Sequence, residues 1–205
     1  MGPFSENTYL LRNEGSALLI DPGFSSSSEY SRFKKELDSS DGKLLAILLT
    51  HAHIDHVLGL NRVLQDFEVP VWLNHTDLAL WENIEMQAKF FGTGNLPAFD
   101  FTPNHLAEQV GFEAGPFRMD ILYTPGHSPD HISIYIPEEK RLIAGDLLFR
   151  EGVGRTDLYG GDFDQLASSI KEKFYTLPDD TVVWPGHGPE TTIGHEKANN
   201  PYVPG

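Results

Sequence analysis

The sequence contains no cysteine. Disulfide bonds, zinc sites built on thiolates and cysteine nucleophiles are therefore excluded. Any metal ion must be held by histidine and carboxylate side chains. The chain has 9 histidines and 30 acidic residues that could serve as such ligands.

Basic residues are also scarce. Lysine and arginine number 15 against 30 aspartates and glutamates, which gives a formal net charge of −15 at pH 7 and a pI of about 4.8. Nucleic acids and anionic membrane surfaces repel such a chain, so we expect neither as a partner. We expect a small-molecule substrate instead, and the sequence gives no indication of the oligomeric state.

Long apolar runs and a leader peptide are absent as well. No apolar stretch approaches the roughly 18 residues of a membrane-spanning helix, and the chain does not open with a basic stretch followed by an apolar one. We therefore expect a cytoplasmic protein. The 205 residues, 40% of them hydrophobic, fit a single domain over residues 1–205 with a full-sized core.

The predicted elements are typical of an α/β protein. Asn13-Glu14-Gly15 separates two short apolar segments and predicts a β-hairpin, and the serines at 25–28 predict the start of a helix over 29–37. Residues 44–49 form a continuous apolar run, which predicts a strand buried on both faces. Residues 84–108 predict a helix followed by an irregular excursion. The other predicted strands are 69–73, 117–123, 132–136, 142–144 and 181–184, and the other predicted helices are 57–67, 76–81, 163–174 and 191–199. This interleaving predicts layers of helix covering sheet.

The strongest feature is the segment 50–56, THAHIDH, which directly follows the predicted buried strand. His51 and His53 are two residues apart, so they point the same way in extended backbone. Asp55 and His56 lie where the chain enters a helix and can face a second point. Imidazole and carboxylate suit zinc, iron or manganese. This segment therefore predicts ligands for two neighbouring metal ions.

Three further polar residues follow predicted strands. His127 closes a Thr-Pro-Gly-His motif, Asp146 follows a glycine, and His187 closes a Pro-Gly-His motif. Glycine and proline beside each of them bend the backbone at the end of the strand. Ligands collect at the carboxyl ends of strands in α/β sheets. We therefore predict that these side chains converge with segment 50–56 at one sheet edge.

The ordered motifs HxHxDH, TPGH, GD and PGH resemble those of the metallo-β-lactamase-fold superfamily over residues 4–201. The resemblance implies an αββα sandwich with the metal ions at one edge of its two sheets. It implies one ion on His51, His53 and His127, a second on Asp55, His56 and His187, and Asp146 as a bridge. It also implies two divalent ions, zinc in the first place with iron or manganese as alternatives, and a metal-bridging hydroxide as the nucleophile.

Three further segments resemble the short glyoxalase II-like hydrolases of that superfamily. They are residues 2–9 (GPFSENTY), 154–158 (GRTDL) and 186–192 (GHGPETT). The resemblance implies a hydroxyacylglutathione hydrolase-like thioesterase that acts on S-D-lactoylglutathione or another acyl-thiol. It implies that Asp55 is catalytic and orients the nucleophile or moves a proton. The chain ends at Gly205 without the C-terminal helical domain of full-length glyoxalase II enzymes, so we expect a short member.

Other activities of the fold are alternatives. Persulfide dioxygenases share a GRTD-like stretch, use a single iron held by two histidines and an aspartate, and can retain the second-site residues. A lactonase or another hydrolase of the fold is the further alternative. A net charge of −15 disfavours a nuclease. A β-lactamase is disfavoured because such enzymes generally lack the aspartate found here as Asp146.

Residues close to the motifs carry secondary predictions. Arg150 and Arg155 are the nearest cations for an anionic substrate, and Tyr159 is a third candidate for substrate binding. A structural role is as strongly expected for Arg155, in a buried ion pair with Asp157 that supports the loop after Asp146.

Two more polar residues lie beside predicted strand ends. Asp21 precedes Pro22-Gly23 at the end of a strand and is a candidate for contacting the metal ligands. His131 opens a strand four residues after His127. We expect it to be a packed strand residue, with a role in orienting a metal ligand as the alternative.

Overall fold

The computed structural model describes residues 1–39 and 42–205. The chain divides into two compact units. The first comprises residues 1–106 with 113–117, and the second comprises residues 107–112 with 118–205. Each unit is described in turn.

The first unit contains a sheet and a set of short helices. Its strands are β1 (Tyr9–Asn13), β2 (Ser16–Ile20), β3 (Lys43–Leu48), β4 (Val71–Leu73) and β5 (Asn104–His105). Its helices are α1 (Ser27–Asp38), α2 (Ile54–Val57), α3 (Leu60–Asp66), α4 (Ala79–Glu82) and α5 (Ile84–Phe91). In the described part of the chain the sheet has the order β1-β2-β3-β4-β5. The first two strands form the predicted antiparallel hairpin, and β2 to β5 run parallel.

Helix α1 shows how local sequence sets an element boundary. Ser26 caps its N-terminus and Glu29 returns a hydrogen bond to the cap, which is a capping box. Partial burial acts to raise the pKa of Glu29, but hydrogen bonds from the backbone N–H groups of Gly2, Ser25 and Ser26 outweigh it and lower the pKa to about 2. Tyr30 then packs into the core of this unit. The predicted helix over 29–37 is confirmed, with two extra residues at its start and one at its end.

The prediction of one helix over 57–67 is wrong. The chain forms two helices, α2 and α3, that are separated at Gly59. The Gly59 N–H donates to Pro22 O at 2.7 Å, outside either helix. A Cβ at Gly59 would lie 2.3 Å from the Phe24 ring. The apolar spacing is helical on both sides of the break, but packing against the loop after β2 interrupts the helix.

The second unit is built on a larger sheet. Its strands are β6 (Gln109–Ala114), β7 (Phe117–Tyr123), β8 (Ile132–Ile136), β9 (Arg141–Gly145), β10 (Leu148–Phe149), β11 (Gly152–Val153), β12 (Val182–Pro185) and β13 (Thr191–Thr192), with residues 113–117 assigned to the first unit. Its helices are α6 (Phe163–Ser169), which continues as a π-helical turn over Ile170–Phe174, and α7 (Ile193–Asn199). In the described residues the sheet order is β13-β12-β9-β8-β7-β6, and β10 and β11 form a separate hairpin.

Strand directions in this sheet bring three strand ends to one edge. β8 is antiparallel to both β7 and β9, and β9 is parallel to β12. The strands β7, β9 and β12 therefore all run the same way, and their carboxyl ends lie at the same edge. Every residue of β8 is buried, as expected for a central strand.

The sequence predictions for this unit are mostly confirmed. The predicted strands at 117–123, 132–136, 142–144 and 181–184 are present with small shifts of their ends. The helix predicted over 191–199 begins only at Ile193, because Thr191 and Thr192 pair with β12 as β13. Strands β6, β10, β11 and β13 were not predicted; three of them have only two residues and carry no readable alternation.

Each unit has its own apolar core. The first is centred on β2, β3, α1 and α3, and the second on β9, β12 and α6, with Phe174 fully buried at its centre. Within residues 1–39 and 42–205, no helix has both the length and the hydropathy that crossing a membrane requires.

Candidate metal centre

The predicted ligand segment begins just after β3 ends. His51 and His56 are fully buried and His53 is 5% exposed, whereas Asp55 remains partly accessible. His53 has extended backbone, and α2 begins directly after it. The ring centroid of His51 lies 4.8 Å from that of His53 and 4.1 Å from that of His56. The three imidazoles of this segment thus gather in the interior, and the turn into the helix falls where it was predicted.

Asp21 anchors this segment from the neighbouring strand. Ile20 of β2 lies opposite Leu48 of β3, which brings Asp21 beside Thr50. The Asp21 carboxylate accepts hydrogen bonds from the Thr50 backbone N–H at 2.8 Å, from the Thr50 hydroxyl at 2.6 Å and from His56 Nδ1 at 2.9 Å. The backbone φ angle of Asp21 is 48°, in the left-handed region, which aspartate tolerates better than most residues. The secondary prediction for Asp21 agrees with this geometry.

The same hydrogen bonds determine which ring nitrogens carry protons. An ionised carboxylate only accepts, so the bond to Asp21 requires a proton on His56 Nδ1. The Thr50 hydroxyl gives its single proton to Asp21, so it must accept from His51 Nδ1, which lies 3.0 Å away. Both rings therefore carry their lone pair on Nε2. A ligand histidine whose other nitrogen donates to a protein group is the usual arrangement at metal sites.

Glu6 was not singled out by the sequence, although it lies in segment 2–9. It is 1% exposed, and Glu6, Asp21 and His56 each place a possible ligand atom within 4.8 Å of the others. The Thr8 hydroxyl donates to Glu6 Oε2 at 2.8 Å. Burial raises the pKa of Glu6 to about 9; the charge of His56 opposes this increase and that of Asp21 adds to it. Nothing in the sequence distinguishes this glutamate from a surface one, because only the fold buries it.

The second unit supplies the other predicted ligands. His127, Asp146 and His187 follow β7, β9 and β12, whose carboxyl ends share one edge. Asp146 Oδ2 lies 3.6 Å from His127 Nε2 and 3.4 Å from His187 Nε2. Two ligand atoms that are each about 2.0–2.1 Å from one tetrahedral zinc ion are themselves about 3.4 Å apart. The spacing therefore suits a carboxylate oxygen that shares a metal ion with each histidine.

His131 is packed in the interior as expected, but it lies directly before β8 rather than in it, and it supports a predicted ligand. It is fully buried, and its Nε2 accepts a hydrogen bond from the Asp146 backbone N–H at 3.1 Å. Because Nε2 accepts, Nδ1 carries the proton and donates to the Thr124 hydroxyl at 2.9 Å. That hydroxyl lies 2.9 Å from Ser133 Oγ, which in turn donates to Ala144 O. His131 thus fixes the backbone at Asp146 rather than the ring of a ligand histidine.

The stretch GRTDL supports His127 through its backbone. Arg155 O accepts a hydrogen bond from His127 Nδ1 at 2.7 Å, so His127 also presents Nε2. Gly154 passes so close to Asp146, the residue after β9, that a Cβ at position 154 would lie 1.8 Å from Asp146 O. Only glycine allows that approach.

The prediction of a buried ion pair between Arg155 and Asp157 is wrong in one respect. The pair forms, with nitrogen–oxygen distances of 2.6 and 2.8 Å, but its side chains are 55% and 69% exposed. The ion pair lies at the surface because the loop contacts its neighbours through other groups. Gly154 lies against Asp146, and the Arg155 carbonyl oxygen accepts from His127. Exposed pairs of this kind contribute little to stability, because solvent screens them.

The candidate substrate residues differ in their surroundings. Tyr159 is 56% exposed, and the Arg155 guanidinium is already paired. Arg150 lines an open pocket of about 270 Å³. The other residues that line this pocket are Val182, Glu190, Thr191, Thr192 and His195. Within residues 1–39 and 42–205 the Arg150 side chain forms no ion pair.

The prediction that all ligands lie at the edge of one sheet is wrong. Segment 50–56 follows β3 in the five-stranded sheet, whereas His127, Asp146 and His187 follow strands of the other sheet. The apolar runs identified the strands but contained no information on which strands pair. In each unit, neutral imidazoles that present Nε2 lie beside a carboxylate, which is donor chemistry that fits zinc, iron or manganese.

Comparison with known proteins identifies relatives over the whole chain. The family model for the metallo-beta-lactamase superfamily matches residues 1–187. The probable metallo-hydrolase YqgX of Bacillus subtilis is 39% identical and covers 100% of this chain and 95% of its own length. The hydroxyacylglutathione hydrolase GloC of Haemophilus influenzae is also 39% identical and covers 98% of this chain and 93% of its own length.

Solved structures show the same fold. TTHA1623 in a di-iron-bound form has a TM-score of 0.87 at 38% identity and covers 99% of this chain and 98% of its own. The BLEG-1 B3 metallo-beta-lactamase has a TM-score of 0.87 at 37% identity, with coverage of 100% and 97%. ETHE1 from Myxococcus xanthus has a TM-score of 0.78 at 28% identity, with coverage of 98% and 80%.

Proposed function

The chain belongs to the metallo-beta-lactamase superfamily, and from that premise we propose that it is a binuclear metal-dependent hydrolase that cleaves thioesters. The single observation that carries this proposal is the ligand chemistry within the two units. Neutral histidines present Nε2 on one side, and Asp146 Oδ2 is spaced for metal sharing on the other. A hydroxyacylglutathione hydrolase is among the relatives at 39% identity, which supports the thioester as the substrate class.

We assign two ions to the predicted ligands. His51, His53 and His127 would hold the first ion, Asp55, His56 and His187 would hold the second, and Asp146 would bridge them. The hydrogen bonds at Nδ1 of His51, His56 and His127 support Nε2 as the ligand atom of each. The donor set suits zinc, and the di-iron form of TTHA1623 keeps iron as an alternative. This assignment treats residues 1–205 as one domain, which the family match over residues 1–187 supports.

The chemistry then depends on what the chain holds in place. Metal ions in such sites lower the pKa of a bound water from 15.7 to about 7. Asp55 is the catalytic residue of the chain: its carboxylate is partly accessible and its Oδ2 lies 3.9 Å from His56 Nε2. From there it orients the attacking water and accepts its proton. The Nδ1 atoms of His51 and His56 are engaged by Thr50 and Asp21, so Nε2 is the nitrogen that each ring offers to a metal ion.

We propose Arg150 as the main contact for an anionic thiol. It lines an open pocket and has no ion pair in the described residues, in a chain whose net charge of −15 repels anions. Arg155 is neutralised by Asp157, so its guanidinium contributes less to binding. Tyr159 is exposed and is the third candidate. A small-molecule thioester is the expected partner, and the cytoplasmic location stays a prediction.

A persulfide dioxygenase is the second candidate. The observation in its favour is the Gly154-Arg155-Thr156-Asp157 stretch, which resembles that of persulfide dioxygenases of this fold. The relatives at 39% identity are named as hydrolases, which favours hydrolysis. A lactonase or another hydrolase of the fold is the third candidate.

One experiment separates these functions. Hydrolysis of S-D-lactoylglutathione is followed by loss of its thioester absorbance, and the metal content is measured on the same preparation. Chelator-sensitive turnover with about two metal ions per chain supports the thioesterase. Absence of turnover by fully metallated protein contradicts it, and oxygen uptake with glutathione persulfide by protein with a single iron establishes the dioxygenase instead.

A further inference from the structure

The Gln87 side chain of helix α5 forms hydrogen bonds to the ligand segment. Gln87 is 9% exposed, and its Oε1 accepts a hydrogen bond from the Ile54 backbone N–H at 3.1 Å. Its Nε2 donates to Ala52 O at 3.0 Å and to Leu80 O at 2.8 Å. A single amide group thereby connects the segment 50–56, helix α4 and helix α5.

These bonds require an amide. The Ile54 N–H is a donor and both carbonyl oxygens are acceptors, so the orientation of the Gln87 amide is determined by its partners. Both amide protons and one acceptor site are used. A leucine would leave three backbone groups without this partner in the interior, and a glutamate would place an oxygen against two carbonyl oxygens.

The two bonded backbone groups lie between the predicted ligands. Ala52 separates His51 from His53, and Ile54 separates His53 from Asp55. The Ile54 N–H is also in the first turn of α2, where helix N–H groups lack partners within the helix. A rotation of either peptide would redirect the side chain on each side of it. The described contacts of Gln87 therefore restrain the directions of His53 and Asp55.

We propose that Gln87 is a positioning residue for the metal ligands, and that α5 belongs to the metal centre as its support. Gln87 acts through the backbone of segment 50–56 and touches neither substrate nor metal ion. The inference rests on the proposed metal centre but does not depend on the substrate. The proposal gives a role to helix α5, which lies in the segment 84–108. For that segment the sequence predicted only a helix and an irregular stretch.

The test compares Gln87→Leu with two controls. Zinc affinity is measured by competition with a chelator at pH 7, and folding stability is measured by urea denaturation. Gln87→Leu is expected to weaken zinc binding by about 10-fold or more, as changes in the support of metal ligands do. The cobalt-substituted protein should also change its visible absorption spectrum, because the ligand geometry changes.

The controls separate positioning from general stability. Ala88→Gly destabilises the same helix, because glycine has a lower helix propensity than alanine, but it keeps the side chain that forms the Gln87 bonds. Gln165→Leu makes the same substitution at an exposed position of helix α6. Both controls are expected to keep wild-type zinc affinity and the wild-type cobalt spectrum.

Three results are informative. If Gln87→Leu and Ala88→Gly lose stability alike and both keep wild-type zinc affinity, Gln87 is only a structural residue and the inference is overturned. If Gln87→Leu does not fold, Gln87→Glu replaces it; this variant keeps the acceptor for Ile54, and unchanged zinc affinity and spectrum would overturn the inference equally. If the wild-type protein binds no metal ion, the proposed function fails first, which is a different outcome.

Discussion

Replacement of Asp21 with asparagine tests how His56 is prepared to bind a metal ion. The amide has nearly the size of the carboxylate, and its oxygen can keep the bond from the Thr50 backbone N–H. The amide nitrogen then faces His56 Nδ1, and two N–H groups cannot form a hydrogen bond with each other. The ring proton is therefore expected to move to His56 Nε2, which is the atom proposed to bind the metal ion.

The size of the effect follows from the bonds that Asp21 loses. The variant loses the acceptor for the Thr50 hydroxyl at 2.6 Å and for His56 Nδ1 at 2.9 Å. Hydrogen bonds to charged groups contribute about 1.5–3 kcal/mol each, part of which is regained because a buried amide is cheaper to desolvate than a carboxylate. We expect the free energy of unfolding of the metal-free protein to fall by about 2 kcal/mol. Zinc affinity should fall by about 10- to 100-fold.

The assay is chelator competition for zinc at pH 7, with urea denaturation of the metal-free protein. Asp180→Asn is the matched control, since Asp180 is an exposed aspartate whose partner is Lys140 at 2.6 Å. The control should keep the urea midpoint and the zinc affinity of wild type, because solvent screens the exposed pair. Wild-type zinc affinity in Asp21→Asn would refute the reasoning, because it would show that the His56 tautomer does not depend on Asp21.

Other substitutions test the remaining assignments. Arg150→Ala should raise KM for a glutathione thioester by about 10-fold, the value of one charge-assisted hydrogen bond, and leave kcat nearly unchanged, whereas Arg155→Ala should leave both unchanged; equal effects in steady-state kinetics would contradict the assignment. His131→Ala leaves the buried Asp146 N–H without its acceptor and should lower the free energy of unfolding by about 2–3 kcal/mol and lower kcat, as measured by urea denaturation and turnover. Glu29→Gln removes the charge and one of the two oxygens that accept from the Gly2, Ser25 and Ser26 N–H groups, and should cost about 1 kcal/mol at pH 7. Because the folded pKa of Glu29 is lowered to about 2 from 4.5, this cost is present above pH 4.5 and disappears as the pH falls through 2; a cost independent of pH in urea denaturation would show that the charge is irrelevant.

The regular parts of the fold were readable because they depend on local pattern. Continuous apolar runs marked β3 and β9, and the serines at 25–28 marked the start of α1. The exceptions have non-local causes. Gly59 interrupts the helix predicted over 57–67 because Pro22 and Phe24, far earlier in the chain, occupy the space beside it.

The candidate ligands were readable because ligation depends on residue type and spacing. The segment 50–56 and the strand-end residues His127, Asp146 and His187 all came from sequence motifs. Their supports were harder to predict. Glu6 and Gln87 resemble ordinary surface residues in the sequence, and only packing buries them beside segment 50–56.

The sequence by itself determined the class of chemistry. A chain without cysteine but with clustered histidines and aspartates at strand ends is suited to hold divalent ions by imidazole and carboxylate, and its acidic composition disfavours nucleic acid. The tertiary structure alone decided the proton positions and the supports. Asp21 and Thr50 set the tautomers of His51 and His56, and the loop after Asp146 leaves Arg155 at the surface. The physical reason is that hydrogen-bond direction and burial depend on neighbours brought together from distant positions, which no local pattern records.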